Sequence, residues 1–306
     1  MSMGRPPGPE LVWHVRGGAV RRRPDDLAVE EPLEVRCASP GSAGTQTLSV
    51  TMRTPGHDFE LAAGWLNSEA VVSSPAEILA VKYCTDPDVD GKQRYNIVTV
   101  ELVPEAIARA RPRATVTSSS CGICGSASIE SVQLTGHPSL GEGPVFDWSI
   151  LASLPDLLRS GQGSFARTGG MHGAAAVSQE GEVLVAREDI GRHNAVDKVI
   201  GWAMLNGRFP LSGAALVVSG RSSFEIVQKA LRAGIGLVAG VSAASSLAVA
   251  LARSEGLTLV GWLRGDRATV YSCPERLRLT SAATAGSSSG TASSPGGRMR
   301  PRPSAL

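Results

Sequence analysis

The stretch AALVVSGRSSFEIVQKALRAGIGLVAG, residues 214–240, decides how the fold is read. Its first segment, AALVV, is apolar without alternation, as expected of a strand covered on both faces, and SSFEIVQKALRAG is amphipathic at helical period. GLVAG then repeats the strand. Downstream the pattern continues as helix AASSLAVALARSEG, strand LTLVGWL and, after a short turn, strand ATVYS. Upstream, SILASLPDLLRSG reads as a helix ending at Gly161, AAAVSQEGEVLVARED as a strand pair around Glu180-Gly181, and GRHNAVDKVIGWAMLNG as a helix with Val196, Val199, Ile200, Ala203 and Met204 on one face. Apolar strands alternating with amphipathic helices predict an α/β layered domain of parallel strands joined by right-handed crossovers.

The first half is more mixed. LEVRC, TLSVTM and YNIVTVELV look like strands, Phe59, Ala62, Ala63 and Leu66 lie at helical spacing, and Ser74-Pro75-Ala76-Glu77 has the form of a capping box. The chain therefore divides into an irregular extension at 1–24, a smaller α+β N-terminal subdomain at 25–110, a flexible loop at 111–126, an α/β domain at 127–280 and a tail at 281–306. The tail is rich in Ser, Gly, Ala and Pro and cannot offset its own ordering entropy, so disorder is expected. Arg21-Arg22-Arg23 reads as a solvated run beside Asp25 and Asp26.

With 306 residues and 42 % hydrophobic content, the chain can form one large domain or two smaller ones. Thirty basic against 28 acidic residues, a net charge of +2, give no field that favours nucleic acid or an anionic membrane. The N-terminus lacks a signal-peptide core, and no run approaches the roughly 18 apolar residues of a membrane span, so a cytoplasmic protein is expected. Five cysteines, at 37, 84, 121, 124 and 273, are too sparse for a disulfide scaffold.

In α/β sheets ligands bind beyond the carboxyl ends of the strands, where helix N-termini present free N–H groups. Two junctions fit: Ser219-Gly220-Arg221-Ser222-Ser223 and Gly240-Val241-Ser242-Ala243-Ala244-Ser245. A third candidate is GWLRGDR, where Arg264 and Arg267 flank Gly265 and Asp266; together the three would suit a pyrophosphate. The plainer alternatives are a Ser222/Glu225 capping box and an ordinary hairpin turn. Thr168-Gly169-Gly170-Met171-His172-Gly173 and the segment from Glu188 to Lys198 are also dense in functional side chains, with His172 and His193 as candidates and a structural network of Asp189, Arg192 and His193 as the alternative.

The motif SSSCGICG, residues 118–125, holds the only CxxC. Zinc is disfavoured because no second CxxC or HxxxH completes a tetrahedral set, and the HxE and PCxxC of zinc deaminases are absent. A thioredoxin-like role would place the pair directly between a strand and a long helix. Here it follows three serines in a polar, glycine-bearing loop. Cys121 and Cys124 remain candidates for sulfur relay, in which a thiolate attacks another sulfur to form a persulfide, and the thiolate would be favoured by a helix beginning at Ser126.

In combination, SSSCGICG, RTPGHDFELAAGWLNSEAVV, TGGMHGAA, REDIGRHNAVDKVIG, VVSGRSSFEIVQKALRAGI and GWLRGDRATVY closely resemble the FdhD family of sulfur carrier proteins required for active formate dehydrogenase. The resemblance runs from about residue 25 to 280. It implies a three-layer, cytidine-deaminase-like α/β fold without the deaminase zinc site and no permanent metal. It further implies a sulfurtransferase that takes sulfur from a cysteine desulfurase as a Cys121 persulfide and passes it to the bis-guanine-dinucleotide molybdenum or tungsten cofactor before insertion into the formate dehydrogenase apoprotein. The family's cofactor-binding hexapeptide falls on Trp262, Leu263, Arg264, Gly265, Asp266 and Arg267, and a homodimer is expected from the resemblance. The alternatives are a cofactor chaperone without sulfur chemistry and a dithiol oxidoreductase.

Overall fold

The computed structural model describes residues 9–42, 44–86, 88–91, 93–112, 137–141 and 143–279. Cys121, Cys124 and almost all of the expected loop at 111–126 lie outside them, as does the tail at 281–306.

The first elements correct the reading of 1–24 as irregular: β1 (Glu10–Arg16) and β2 (Ala19–Asp25) form an antiparallel hairpin. The overlooked signal is Gly17-Gly18, whose φ values of 57° and 81° belong to a two-residue turn that matches the twist of the flanking strands. The three arginines 21–23 therefore sit on a strand, and the Arg22 guanidinium lies 5.2 Å from the centre of the Trp13 ring.

Next come β3 (Glu31–Ala38), β4 (Gln46–Arg53), α1 (Asp58–Ser68), β5 (Ile78–Tyr83), β6 (Ile97–Leu102) and α2 (Pro104–Arg109). The four strands make one sheet in the order β4-β3-β6-β5, parallel at its centre and antiparallel at both edges. Arg53 ties it to α1 through a buried two-pronged pair with Asp58, at 3.0 and 3.1 Å.

The second half runs β7 (Phe146–Asp147), α3 (Trp148–Ser160), α4 (Gly163–Thr168), β8 (His172–Ser178), β9 (Val183–Asp189), α5 (Arg192–Leu205), β10 (Ala214–Val218), α6 (Phe224–Arg232), β11 (Leu237–Gly240), α7 (Ser246–Ser254), β12 (Thr258–Arg264), β13 (Arg267–Ser272) and β14 (Leu277–Arg278). Its main sheet has the order β13-β12-β11-β10-β8-β9. β10, β11 and β12 are mutually parallel, as expected from their helical crossovers, but β8, β9 and β13 pair antiparallel. The sheet is mixed because β8–β9 and β12–β13 are joined by short turns, which can only reverse the chain.

Both faces of this sheet are covered, so its central strands lack polar alternation. Ala175, Val177, Ala215, Val217, Leu237, Ala239 and Val260 pack in one cluster with Leu151, Leu154 and Leu158 of α3. Their neighbours Ala174, Ala176, Leu216, Val218, Val238 and Leu259 belong to a second cluster with α5, α6 and α7. That second cluster continues through Leu61 and Leu66 of α1 into Val98 and Val100 of β6, so the two halves of the chain share one core. The join is tightest where α1 crosses α5. A Cβ at Gly64 would lie 2.6 Å from the Asp197 carbonyl carbon, and one at Gly201 would lie 2.6 Å from the Glu60 carbonyl carbon, so both positions require glycine.

Candidate functional site

Strand directions bring distant segments to one edge of the main sheet. β10, β11 and β12 end there, and β8, running the other way, begins there with His172. In the register of β8 and β9, His172 faces Asp189, after which the chain turns into α5 through Gly191, Arg192 and His193. His172, His193, Ser219, Arg221 and Ser222 therefore gather around the ends of β8 and β10.

The sector is built on close backbone approach. Ser219 Oγ accepts from Gly173 N at 2.9 Å, and Ser219 N donates to Gly173 O at 3.0 Å, locking β10 to the start of β8. A Cβ on Gly220 would meet His172 Nδ1 at 3.5 Å and Arg192 Cδ at 3.6 Å, so these side chains close over bare backbone. Ser222 is fully buried, with its hydroxyl in the space a side chain at Gly240 would fill.

The expected capping box at Ser222 and Glu225 is not formed. Ser223 is the N-cap of α6, and Glu225 instead pairs with His193, its Oε2 lying 2.8 Å from His193 Nε2. Ser223 Oγ donates to the same carboxylate at 3.2 Å. The hydrogen bond to His193 holds the Glu225 carboxyl below the usual carboxylate range. His172 is displaced downward as well, first by burial and then by the charges of Arg192 and His193, so its neutral form is favoured.

Asp189 departs from the expected network with Arg192 and His193. Completely buried, it accepts from Thr54 N at 3.1 Å, Gly191 N at 2.8 Å and Asn194 Nδ2 at 3.0 Å, and pairs with Lys198 at 2.7 Å. Its role is to fix the turn into α5 and tie it to the N-terminal half. Arg192 is left with its buried Nε unpaired.

On the α3 side a cleft of about 410 Å³ opens between Leu158, Arg159, Gln162, Phe165, His172 and Ser219. Gln162 is 7 % exposed, and its Nε2 lacks a partner. Gln162, Arg159, Phe165 and the Glu225 partner of His193 were not picked out as site residues from sequence, because nothing in their local pattern marks them. With Arg192 Nε and Ser222 Oγ, Gln162 Nε2 makes three buried, unpaired polar atoms in this sector. Each would cost about 1–3 kcal/mol if it stayed unsatisfied.

The hexapeptide lies along the same edge. β12 and β8 are three strands apart in the sheet order, so at about 4.8 Å per strand the two sectors are separated by about 14 Å. Trp262 has a φ of 54° and is 46 % exposed, with the Arg264 guanidinium 5.7 Å from its ring centre. Leu263 is wholly buried in the α3-side cluster, and its side chain does not face solvent. Gly265 and Asp266 form the turn between β12 and β13, Gly265 with a φ of 55°. Asp266 and Arg267 are almost fully exposed, and their 3.9 Å contact is solvent-screened. Ser242 joins the turn to the central strand ends, because Trp262 N donates to Ser242 O at 3.0 Å. Among the described residues, no three His, Cys, Asp or Glu side chains form a metal-binding group.

The model of the FdhD/NarQ family matches residues 28–278. The sulfur carrier protein FdhD of Streptomyces avermitilis is 48 % identical over 288 residues, covering 93 % of this chain and 100 % of its own. Its counterpart from Mycobacterium tuberculosis is 46 % identical over 285 residues, 90 % of this chain and 100 % of its own. The crystal structure of a chain described as a formate dehydrogenase accessory protein from Desulfotalea psychrophila superposes with a TM-score of 0.66, covering 88 % of this chain and 98 % of that one at 22 % identity, a likeness of fold. The matched residues take in both sheets and every element of the site, and the chain belongs to the FdhD/NarQ family.

Proposed function

We propose that the protein is a sulfur carrier for the maturation of formate dehydrogenase, with the sulfur held on Cys121 and the strand-end edge binding the nucleotide part of the recipient cofactor. The observation that carries this reading is the convergence of His172, His193, Arg192, Ser222 and Gln162 on one sheet edge, three of them with a buried polar atom unpaired. An anionic nucleotide would give Gln162 Nε2 and Arg192 Nε an acceptor, while Ser222, fully buried, lies out of its reach. Phe165 offers a ring face for a base, and the Arg264–Arg267 turn offers exposed cations for phosphate about 14 Å away, a span suited to an extended dinucleotide. The relatives' description as sulfur carriers supports the assignment.

The chemistry uses the CxxC, which lies outside the described residues. The Cys121 thiolate attacks the outer sulfur of a persulfide on a cysteine desulfurase, whose own thiolate leaves. Attack by Cys124 on Cys121 Sγ then expels the outer sulfur as hydrosulfide to the molybdenum cofactor. The two electrons come from formation of the Cys121–Cys124 disulfide, which a cellular thiol afterwards reduces. The cofactor is the recipient rather than a resident group, and the sulfide-bearing product goes on to the formate dehydrogenase apoprotein.

Incubation with a cysteine desulfurase and cysteine is expected to add one sulfur mass to Cys121, and Cys121→Ala is expected to leave formate dehydrogenase inactive. Full activity in that variant would refute sulfur transfer through Cys121. A second reading, a cofactor chaperone without sulfur chemistry, draws on the exposed Arg264 and Arg267 and the helix N-termini of the edge, which would serve cofactor binding alone. Rescue of formate dehydrogenase by the double Cys121→Ala, Cys124→Ala variant would favour it. A dithiol oxidoreductase would be favoured by thioredoxin-linked turnover of the Cys121–Cys124 disulfide. No helix among the described residues is long and apolar enough to cross a membrane.

A further inference from the structure

Gln162 leads the chain from α3 into α4, and its main chain is fully engaged: Gln162 N donates to Arg159 O at 3.0 Å, and Gln162 O accepts from Ala166 N at 3.1 Å. A polar side chain at the start of a helix ordinarily takes up free N–H groups of the first turn. This one does not, because the Glu188 carboxylate of β9 already accepts from Ser164 N at 2.8 Å and Phe165 N at 2.7 Å. The Gln162 amide instead lies on the bare backbone of Gly173, where a Cβ would come within 2.6 Å of Nε2. β8 thus forgoes a side chain to make room for an amide whose Nε2 finds no partner among the described residues.

The fold gains nothing from that amide. A buried donor left unpaired destabilises a protein, and methionine, of similar length, would fill the space without one. The cleft of about 410 Å³ that Gln162 lines lies in the size range of small-molecule sites, and it has a polarity. Leu158 and Met171 form its buried part, whereas Arg159, among the described residues the only lining side chain with a permanent charge, is exposed. Burial, with the charges of Arg192 and His193, favours the neutral form of His172, so no cation is held inside. A phosphate among Leu158 and Met171 would be buried without a counter-charge, so a nucleotide enters base first.

We propose that the cleft is a base subsite for guanine, with Gln162 as the residue that recognises the ring. A side-chain amide matches the adjacent C=O and N–H of guanine with two parallel hydrogen bonds, Nε2 donating to the carbonyl and Oε1 accepting from the ring nitrogen. Phe165 stacks on the ring, and the phosphates stay outside beside Arg159. Glu188 is a positioning residue: by capping α4 it fixes Phe165 and leaves the Gln162 amide free for the ligand. The amide is kept at a cost in stability that the bound base offsets.

The base subsite rests on the nucleotide reading of the edge, and calorimetric titration of the full chain with GDP and with guanosine separates the two. Gln162→Met should weaken both ligands about tenfold, through loss of the paired amide, and raise the thermal midpoint of the free protein. Arg159→Ala should weaken GDP severalfold and leave guanosine unchanged. If the wild-type chain binds neither ligand, the nucleotide reading itself falls, and the base subsite with it. GDP and guanosine bound equally by wild type and Gln162→Met would leave the nucleotide reading standing and overturn the base subsite alone. A Gln162→Met midpoint below wild type would make the amide a packing group, and guanosine weakened by Arg159→Ala as much as GDP would reverse the polarity of the cleft; either result overturns the proposal.

Discussion

Gly64→Ala is expected to loosen the junction between the two halves of the chain, and its cost follows from the helix crossing. The new Cβ would lie 2.6 Å from the Asp197 carbonyl carbon and 2.9 Å from Gly201 N, both backbone atoms that cannot rotate away. Restoring ordinary contact requires α1 and α5 to part by more than about 1 Å, because the Asp197 carbonyl oxygen lies closer to the added carbon than its carbonyl carbon does. That opens the core around Leu61, Ala62, Val196 and Ile200, all fully buried. Overpacking of this kind costs about 3 kcal/mol, against about 1 kcal/mol gained from the better helix propensity of alanine. The net loss is about 2 kcal/mol, and with a urea m-value of about 2.5 kcal/mol/M the midpoint should fall by about 0.8 M. Gly163→Ala is the control: it opens α4, has no neighbour within 4 Å of the added carbon, and should leave the midpoint unchanged or slightly raised. A Gly64→Ala midpoint at or above wild type would refute the close crossing.

Asp189→Asn should cost about 3–5 kcal/mol, read by the same urea unfolding, because it leaves Lys198 buried without its counter-charge; adding Lys198→Met should recover much of the loss. Glu225 is held below the usual carboxylate range, so its pairing stabilises the fold above about pH 4.3, and this stability is lost as pH falls through its lowered folded pKa. Thermal midpoints of Glu225→Gln should therefore lie below wild type at pH 7 and converge with it as pH falls through that lowered pKa. Arg264→Ala and Arg267→Ala should change stability by less than about 0.5 kcal/mol, since both side chains are exposed, yet weaken GDP binding severalfold in a titration; unchanged affinity would remove the turn from the nucleotide site.

Local pattern determined much of this protein: the alternation of strands and helices after residue 170, the strand ends where helix N-termini gather, and the exposed turn that carries Arg264 and Arg267. Each follows from the residues of one segment, through side-chain period, helix-terminal N–H groups and turn chemistry. The hairpin at 10–25 was equally local, and the Gly17-Gly18 pair was its signal.

Tertiary structure decided the rest. The orientations of β8, β9 and β13 follow from how short turns return the chain against neighbours already in place. Leu263 faces the core and Trp262 the solvent because the β12–β13 register shifts between Gly261 and Arg264, which period-two alternation does not foresee. Glu225 reads as a cap in sequence, but His193, from another helix, takes its carboxylate. Gln162 gains its meaning only when Ser219 and His172 line the same cleft. Segment propensities are short-range energies set by adjacent residues, whereas burial and ion pairing depend on which distant groups the packed layers bring within a few ångströms.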